Sequence, residues 1–219
     1  MSSRDTNTEI TKKRWNRTAR LYDYMMALMN RVGMRKWRRL LWSKVGNSSV
    51  LEIGVGTGNN FPYYPANAEI TAVDFSEEML KRARNRASRL KVKVDLRQMD
   101  AQNLGFADNT FDTVVATAVF CAIPDPVRGM REVERVCKPG GKVVLLEEDF
   151  SANRFSGWLV KLANPLIARM GSDFRRRPLE NVAKSGLKVE RVTNLWGGTF
   201  KLIEARKLQA RGGKNVIRL

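Results

Sequence analysis

Residues Val50 to Asn60 read Val-Leu-Glu-Ile-Gly-Val-Gly-Thr-Gly-Asn-Asn, a short apolar run that stops on glycines at 54, 56 and 58. Glycine in such a turn lets the backbone adopt positive φ and pass close to a bound group. A second apolar run, Ile70–Asp74, ends on a carboxylate twenty residues beyond Gly54. If the two runs are neighbouring parallel strands, their carboxyl ends share one sheet edge, and the glycine turn and Asp74 face one crevice.

The rest of the chain fits that arrangement. Val92–Arg97, Phe111–Ala116 and Lys142–Glu147 are further short runs rich in Val, Ile and Leu, with helical stretches at Ser76–Leu90 and Val127–Cys137. Pro139-Gly140-Gly141 is expected to close the second of these helices. Strands alternating with helices imply an α/β fold, a mostly parallel sheet covered on both faces. A helix is expected at Arg177–Lys184. The last runs, Leu187–Leu195 and Thr199–Ala205, lie close enough to pair as a hairpin, which places one antiparallel strand in the sheet. Before the first strand, Trp15, Ala19, Tyr22, Met26 and Met29 recur at helical spacing. Gly33 breaks this segment, and a second helix, Met34–Val45, sets Trp37, Leu40, Leu41 and Val45 against Arg35, Lys36, Arg38 and Arg39. The expected organisation is a helical cap at 1–48 within the same domain, a core at 49–207 and a basic tail at 208–219. A chain of 219 residues is the size of one ordinary domain.

The spacing of the glycines narrows the ligand. Dinucleotide binders carry Gly-x-Gly-x-x-Gly, but here the third position is Asn59, and the pattern is Glu-x-Gly-x-Gly-x-Gly. No lysine follows as in a phosphate-binding loop. Glu52 beside the turn suits a ligand bearing an ammonium or sulfonium better than a pyrophosphate. Asp74 can accept hydrogen bonds from both hydroxyls of an adenosine ribose.

Composition excludes several chemistries. The chain has no histidine, so no mechanism can use an imidazole base, and its two cysteines, Cys121 and Cys137, form no disulfide framework or zinc cluster. The Met-Ser-Ser-Arg-Asp-Thr-Asn start lacks an apolar signal core, which sets the expectation of a cytoplasmic protein. The net charge of +18 is concentrated at the ends, +9 over residues 1–49 and +5 over 201–219. Such a field favours a polyanion, either an anionic membrane surface or a nucleic acid, or serves only solubility.

At the glycine turn and Asp74 the chain resembles the seven-stranded S-adenosylmethionine-dependent methyltransferases, a Rossmann-like class, over roughly Trp15 to Lys207. The residues that carry the likeness are Glu52-Ile-Gly-Val-Gly-Thr-Gly58, Val73-Asp-Phe-Ser-Glu-Glu-Met-Leu80, Met99-Asp-Ala101, Phe111-Asp-Thr-Val-Val115 and Lys138-Pro-Gly-Gly-Lys142. The resemblance implies that S-adenosylmethionine is bound by Tyr22, Glu52, Gly54, Gly56, Thr57, Gly58, Asn59, Asp74, Phe75, Met79, Asp100, Ala101 and Thr117, without a metal. In such enzymes the place of Asp74 holds the ribose and that of Asp100 the adenine amino group. Arg20-Leu-Tyr-Asp-Tyr24, Val119-Phe-Cys-Ala-Ile-Pro-Asp-Pro126 and Leu195 to Ala205 resemble a narrower branch. That branch holds the bacterial phosphatidylethanolamine N-methyltransferases and the quinone-biosynthesis C-methyltransferases, and in it the tyrosine at the place of Tyr22 closes over the cofactor. Where related sequences often follow the strand-five glutamate with histidine, this chain has Glu147-Glu148-Asp149.

For a lipid amine as acceptor, Tyr22, Glu148 and Asp149 are the candidate catalytic groups, the carboxylates holding the cationic head group and taking its proton. The other reading of the acidic run is a solvated strand end. Acceptor contacts are expected around Thr117–Cys121 and from a lid-like stretch, Ser151–Asp173. Trp15, Trp37 and Trp42 among dense Lys/Arg suggest helices lying on the inner membrane face, or an apolar stripe packed over the cofactor site. A soluble or quinone-like acceptor, or RNA, fits the same fold; the chain lacks an Asn/Asp-Pro-Pro-aromatic motif of the kind found in amino-directed nucleic-acid methyltransferases.

Overall fold

The computed structural model describes residues 9–16, 24, 33–149 and 177–209. Tyr22, most of the first expected helix, the lid-like stretch and most of the tail lie outside the described residues. The elements in chain order are α1 (Arg35–Trp42), β1 (Ser49–Ile53), β2 (Glu69–Asp74), α2 (Glu77–Leu90), β3 (Asp95–Gln98), β4 (Phe111–Thr117), α3 (Pro126–Val136), β5 (Cys137–Glu148), α4 (Pro178–Ala183), β6 (Lys188–Leu195) and β7 (Phe200–Arg206). Residues 9–16 are also helical.

The seven strands form one sheet in the order β3-β2-β1-β4-β5-β7-β6. The pairs β1·β2, β1·β4, β2·β3 and β4·β5 are parallel, while β7 lies antiparallel between β5 and β6. The expected hairpin is therefore present, with its second strand inserted next to β5. From β1 the chain winds outward through β2 and β3, then returns on the other side through β4. That reversal leaves a crevice at the carboxyl ends of β1 and β4.

Alternation along the strands divides the core. Leu51, Ile53, Val114, Ala116, Val143 and Leu145 face α3 and α4 through Met130, Val133, Val136 and Val182. Val50, Val115, Val144 and Leu146 face α1 through Met34, Trp37, Leu41 and Trp42. On the latter side α2 packs Leu80, Ala83 and Ala87 against Ala72 and Phe61. Burying a side chain the size of leucine stabilises by about 1.5–3 kcal/mol, so α1 is bound firmly into the core.

Caps set the helix starts. Ser76 accepts a hydrogen bond from the Met79 N–H at 3.2 Å and begins α2; Asp125 accepts from Arg128 at 3.0 Å and begins α3, with Pro126 in the first turn. Two expectations are corrected. Pro139-Gly140-Gly141 does not close a helix: α3 ends at Val136 and the chain enters β5 directly at Cys137. Cys137 pairs with Phe111 and Lys142 with Thr113, so the intervening residues bulge out of the ladder, where a proline without an N–H is tolerated. The second correction is Arg38, expected on the solvated face of α1 but only 3% exposed. Its positive charge lies close enough to Glu52 to favour that carboxylate's ionised form, which makes its burial tolerable.

Candidate active site

The glycine turn follows β1 with φ of +67° at Gly54, +55° at Gly56 and +78° at Gly58. Two of these positions also forbid a side chain on space alone. A Cβ on Gly54 would stand 2.5 Å from a Val119 methyl, and one on Gly58 would run into the Phe61 ring. The turn is thus built so that backbone, not side chain, borders the crevice.

Asp74 closes the crevice from β2. Its Oδ2 accepts the Gly56 N–H and its Oδ1 the Ser76 N–H, each at 2.9 Å. Burial raises its pKa to about 6, and the N–H groups of Ser76, Gly56 and Phe75 oppose that rise. Each oxygen has a further lone pair, so a diol in the crevice can donate to both.

Between these groups lies a hollow of about 710 Å³, part of it open to solvent. It is lined by Ile53, Gly54 and Gly56 from the turn, by Val73, Asp74, Phe75 and Met79 from β2 and α2, and by Met99, Asp100 and Ala101 after β3. Thr117, Ala118, Val119, Ala122, Ile123 and Pro124 complete it after β4, with Trp15 from the helical segment 9–16. Asn16, next to Trp15, accepts a hydrogen bond from Ser76 at 2.5 Å. That bond ties the segment to the start of α2, beside the Trp15 ring that lines the hollow. Asp100 is oriented by Gln102, whose backbone N–H donates at 2.9 Å and whose amide donates at 3.1 and 3.0 Å.

Gly54, Gly56, Asp74, Phe75, Met79, Asp100, Ala101 and Thr117, singled out in the sequence, meet in this hollow. Glu52, Thr57, Gly58 and Asn59 stand outside its lining. Glu52 is fully buried behind the turn, accepting from Asn60 at 2.6 Å and from the Tyr64 hydroxyl. Burial pushes its pKa up to about 7 and, with the carboxylate beside it, holds the Tyr64 phenol well above its ordinary value. Asn60 also donates to Thr117 at 3.1 Å, so this network links the base of the turn to the end of β4. Asn59 bonds Thr57 at 3.1 Å and accepts from Arg86 at 2.6 Å, pinning the turn to α2. Val119 falls in the Thr117–Cys121 stretch expected beside the site and Trp15 in the apolar stripe expected over it, whereas Met99, Ala122, Ile123 and Pro124 are lining residues that sequence patterning did not assign. Their one sequence signal is that most sit just past a strand end, and apolar side chains there read equally well as core.

At the end of β5 the acidic run turns inward. Glu147 is 1% exposed and Asp149 5%. Glu147 accepts the Val119 N–H at 3.0 Å and the Phe120 N–H at 3.3 Å; burial, then the neighbouring Glu148, raises its pKa to about 8. Asp149 lies 3.7 Å from the Lys201 ammonium, which also donates to Asn194 at 2.9 Å. Glu148 differs from both. One of its oxygens, Oε2, is buried with no hydrogen-bond partner among the described residues, and the Cys121 thiol is the group that bonds its carboxylate. Burial pushes its pKa up to about 7. The site therefore offers a pocket for an adenosine-like group and, past the Thr117–Cys121 turn, a carboxyl raised toward neutrality that keeps one oxygen unpartnered among the described residues.

Known proteins carry the same pattern. The methyltransferase domain family matches residues 51–145. A phosphatidylethanolamine N-methyltransferase of Cereibacter sphaeroides is 40% identical over 61% of this chain, and the match spans 64% of that protein's length. A demethylmenaquinone methyltransferase of Desulfitobacterium hafniense is 32% identical over 88% of each chain. Among solved structures, an S-adenosylmethionine-dependent methyltransferase of Thermotoga maritima, titled a possible histamine N-methyltransferase, superposes with a TM-score of 0.69. It is 22% identical and covers 89% of this chain and 99% of its own. With the glycine turn, Asp74 and the reversed seventh strand in place, the chain belongs to the S-adenosylmethionine-dependent methyltransferases.

Proposed function

We propose that the protein methylates the amine of a phospholipid head group, of the phosphatidylethanolamine type, at an anionic membrane surface. The observation that carries this reading is the buried Glu148 oxygen without a partner, beside the turn that closes one end of the hollow. A buried polar atom left unsatisfied is costly, and an ammonium group supplies both the charge and the hydrogen bonds it lacks. S-Adenosylmethionine brings a methyl group on a positively charged sulfur, and transfer is an in-line displacement by the acceptor. The protein's part is alignment and the exclusion of water, worth about 7–11 kcal/mol. Asp74 orients the ribose end and the glycine turn lets it seat against backbone. Glu148 holds the head-group ammonium, takes its proton and frees the nitrogen lone pair for attack. Asp149, held by Lys201, supports the end of β5.

The membrane part of the proposal rests on charge. Trp37 and Trp42 are 8% and 2% exposed and belong to the core, so they are not available to enter a bilayer. Arg35, Lys36 and Arg39 point outward from α1, each able to add about 1 kcal/mol near an anionic surface. Among the described residues, no helix is long and apolar enough to cross a membrane. A second reading, a quinone-like or other small acceptor, is favoured by the long match to a demethylmenaquinone methyltransferase.

A labelled methyl donor offered with phosphatidylethanolamine vesicles, a demethylated quinol and total RNA separates these readings. Label in the lipid supports the proposal. Label in the quinol or RNA alone rejects it in favour of that acceptor class.

A further inference from the structure

We infer that Glu147 is a positioning residue for the methyl-donor pocket, because its carboxylate fixes the turn after β4 in the one shape that seats Val119 against the glycine turn. The inference rests on reading the hollow as the S-adenosylmethionine pocket and names a residue that pocket depends on without touching its ligand.

The turn runs from Thr117 to Cys121, and its shape is not one the chain would adopt unaided. Ala118 has φ +53°, a left-handed conformation that an L residue with a Cβ takes only under constraint. The constraint comes from β5. The Ala118 N–H donates to the Leu146 carbonyl at 2.7 Å, and the next two N–H groups, of Val119 and Phe120, both donate to the Glu147 carboxylate. Three successive amides are thus held by two neighbouring residues of one strand. A carboxyl group that is 1% exposed and accepts two backbone N–H bonds, which either protonation state can accept, is a fixed anchor.

The anchored turn delivers Val119 to the pocket wall. Its isopropyl group occupies the space that Gly54 leaves by having no side chain, since a Cβ there would lie 2.5 and 2.7 Å from its two methyl carbons. Val119, Ala118 and Gly54 all line the hollow, while Glu147 does not. The glycine pattern therefore needs a matching residue on the facing turn, and that residue needs Glu147 to hold it in place. Glu148, one residue on, takes no part in anchoring these amides; the Cys121 thiol bonds its carboxyl instead.

The test is Glu147→Gln, which keeps size but turns an NH2 group toward one of the backbone donors. Melting temperature reports folding, calorimetry reports affinity for S-adenosylhomocysteine, and amide exchange reports Val119 and Phe120 in ligand-free protein. A folded Glu147→Gln protein is expected to exchange both amides about tenfold faster and to bind the product about tenfold more weakly. KM for the methyl donor should rise more than kcat falls. Adding Ala118→Gly, which removes the left-handed penalty, should recover part of the affinity; no recovery would place the damage in the core and overturn the inference. Unchanged affinity in the folded variant also overturns it. Should Glu147→Gln not fold, Val119→Ala keeps every backbone bond and is expected to weaken product binding severalfold, and wild-type affinity there is again a refutation. A wild-type protein with no affinity for the product would instead sink the pocket assignment itself.

Discussion

On the β1–β2 side of the hollow, the ligand-facing groups are a backbone turn and one carboxylate whose two oxygens each accept an N–H at 2.9 Å. On the β4–β5 side, three consecutive carboxyls crowd the strand end, and only two of them are fully engaged. Asp149 has Lys201 and Glu147 has two amides, while Glu148 keeps a buried oxygen without a partner among the described residues. On the first side Asp74 is already engaged before any ligand arrives, and the orphaned buried oxygen there, Asn60 Oδ1, lies behind the turn, outside the lining of the hollow. The second is left incomplete at one atom. A pre-formed, satisfied wall suits a cofactor that is the same in every turnover, and an unsatisfied group suits the place where a proton is to be moved.

The sharpest way to break this contrast is Gly54→Val. A β-branched residue at φ +67° must also displace Val119; left-handed strain and overpacking together cost about 2–5 kcal/mol. Calorimetry should show affinity for S-adenosylhomocysteine reduced by about 10³-fold. A variant that binds like wild type would mean that the turn does not border the ligand.

Next in size is Glu148→Gln, which should act on the other side alone. General-base catalysis contributes about 10²–10⁴-fold, so kcat is expected to fall by about 10²-fold with product affinity unchanged. The pH profile sharpens the assignment. A base works only when deprotonated, so wild-type kcat/KM should rise with pH through about 7, the value to which burial pushes Glu148. Burial also pushes Asp74 up to about 6, Glu52 to about 7 and Glu147 to about 8, so the variant decides among them. In Glu148→Gln the rising limb should move to the pKa of the amine itself. A limb left in place would exclude Glu148 as the base.

Asp74→Ala comes third. Loss of the two hydrogen bonds to the ribose, at about 1 kcal/mol net each, predicts donor affinity lower by about 30-fold, with kcat at saturating donor changed far less. An equal fall in kcat would show that the two sides are not separable.

How far the sequence discloses each side follows from the same contrast. The donor side is built from local signals: a strand, glycines at fixed spacing and a carboxylate at the next strand end, all within Val50–Asp74. Those residues do meet, and the reversed β7 was legible from two runs too close for a crossover. The other side is assembled across the chain. Glu147 reaches Val119 and Phe120 on another strand's turn, and no local pattern marks a glutamate as an anchor rather than a solvated end. Arg38 is the clearest misreading. It sits among four basic residues on an amphipathic helix, and only the third dimension shows a carboxylate, Glu52, beneath it. Glu52 itself stands at the right place in the motif, yet bonds Asn60 and Tyr64 instead of lining the hollow.

The smallest expected effect concerns the outer face of α1, where the contrast between buried and exposed cations can be tested directly. Arg38 faces inward toward Glu52, whereas Arg39, the next residue, faces out. If surface charge draws the protein to lipid, Arg39→Ala should lower its partition onto vesicles containing phosphatidylglycerol by about fivefold, matching about 1 kcal/mol per basic residue. Its melting temperature should hold, and the difference from wild type should shrink as salt screens the surface. Arg38→Ala should do the reverse: it strands the buried Glu52 carboxylate, so the melting temperature falls while vesicle partition of the folded fraction stays. Equal vesicle binding by Arg39→Ala and wild type at low salt would remove α1 from the membrane interface, and would leave the donor pocket untouched.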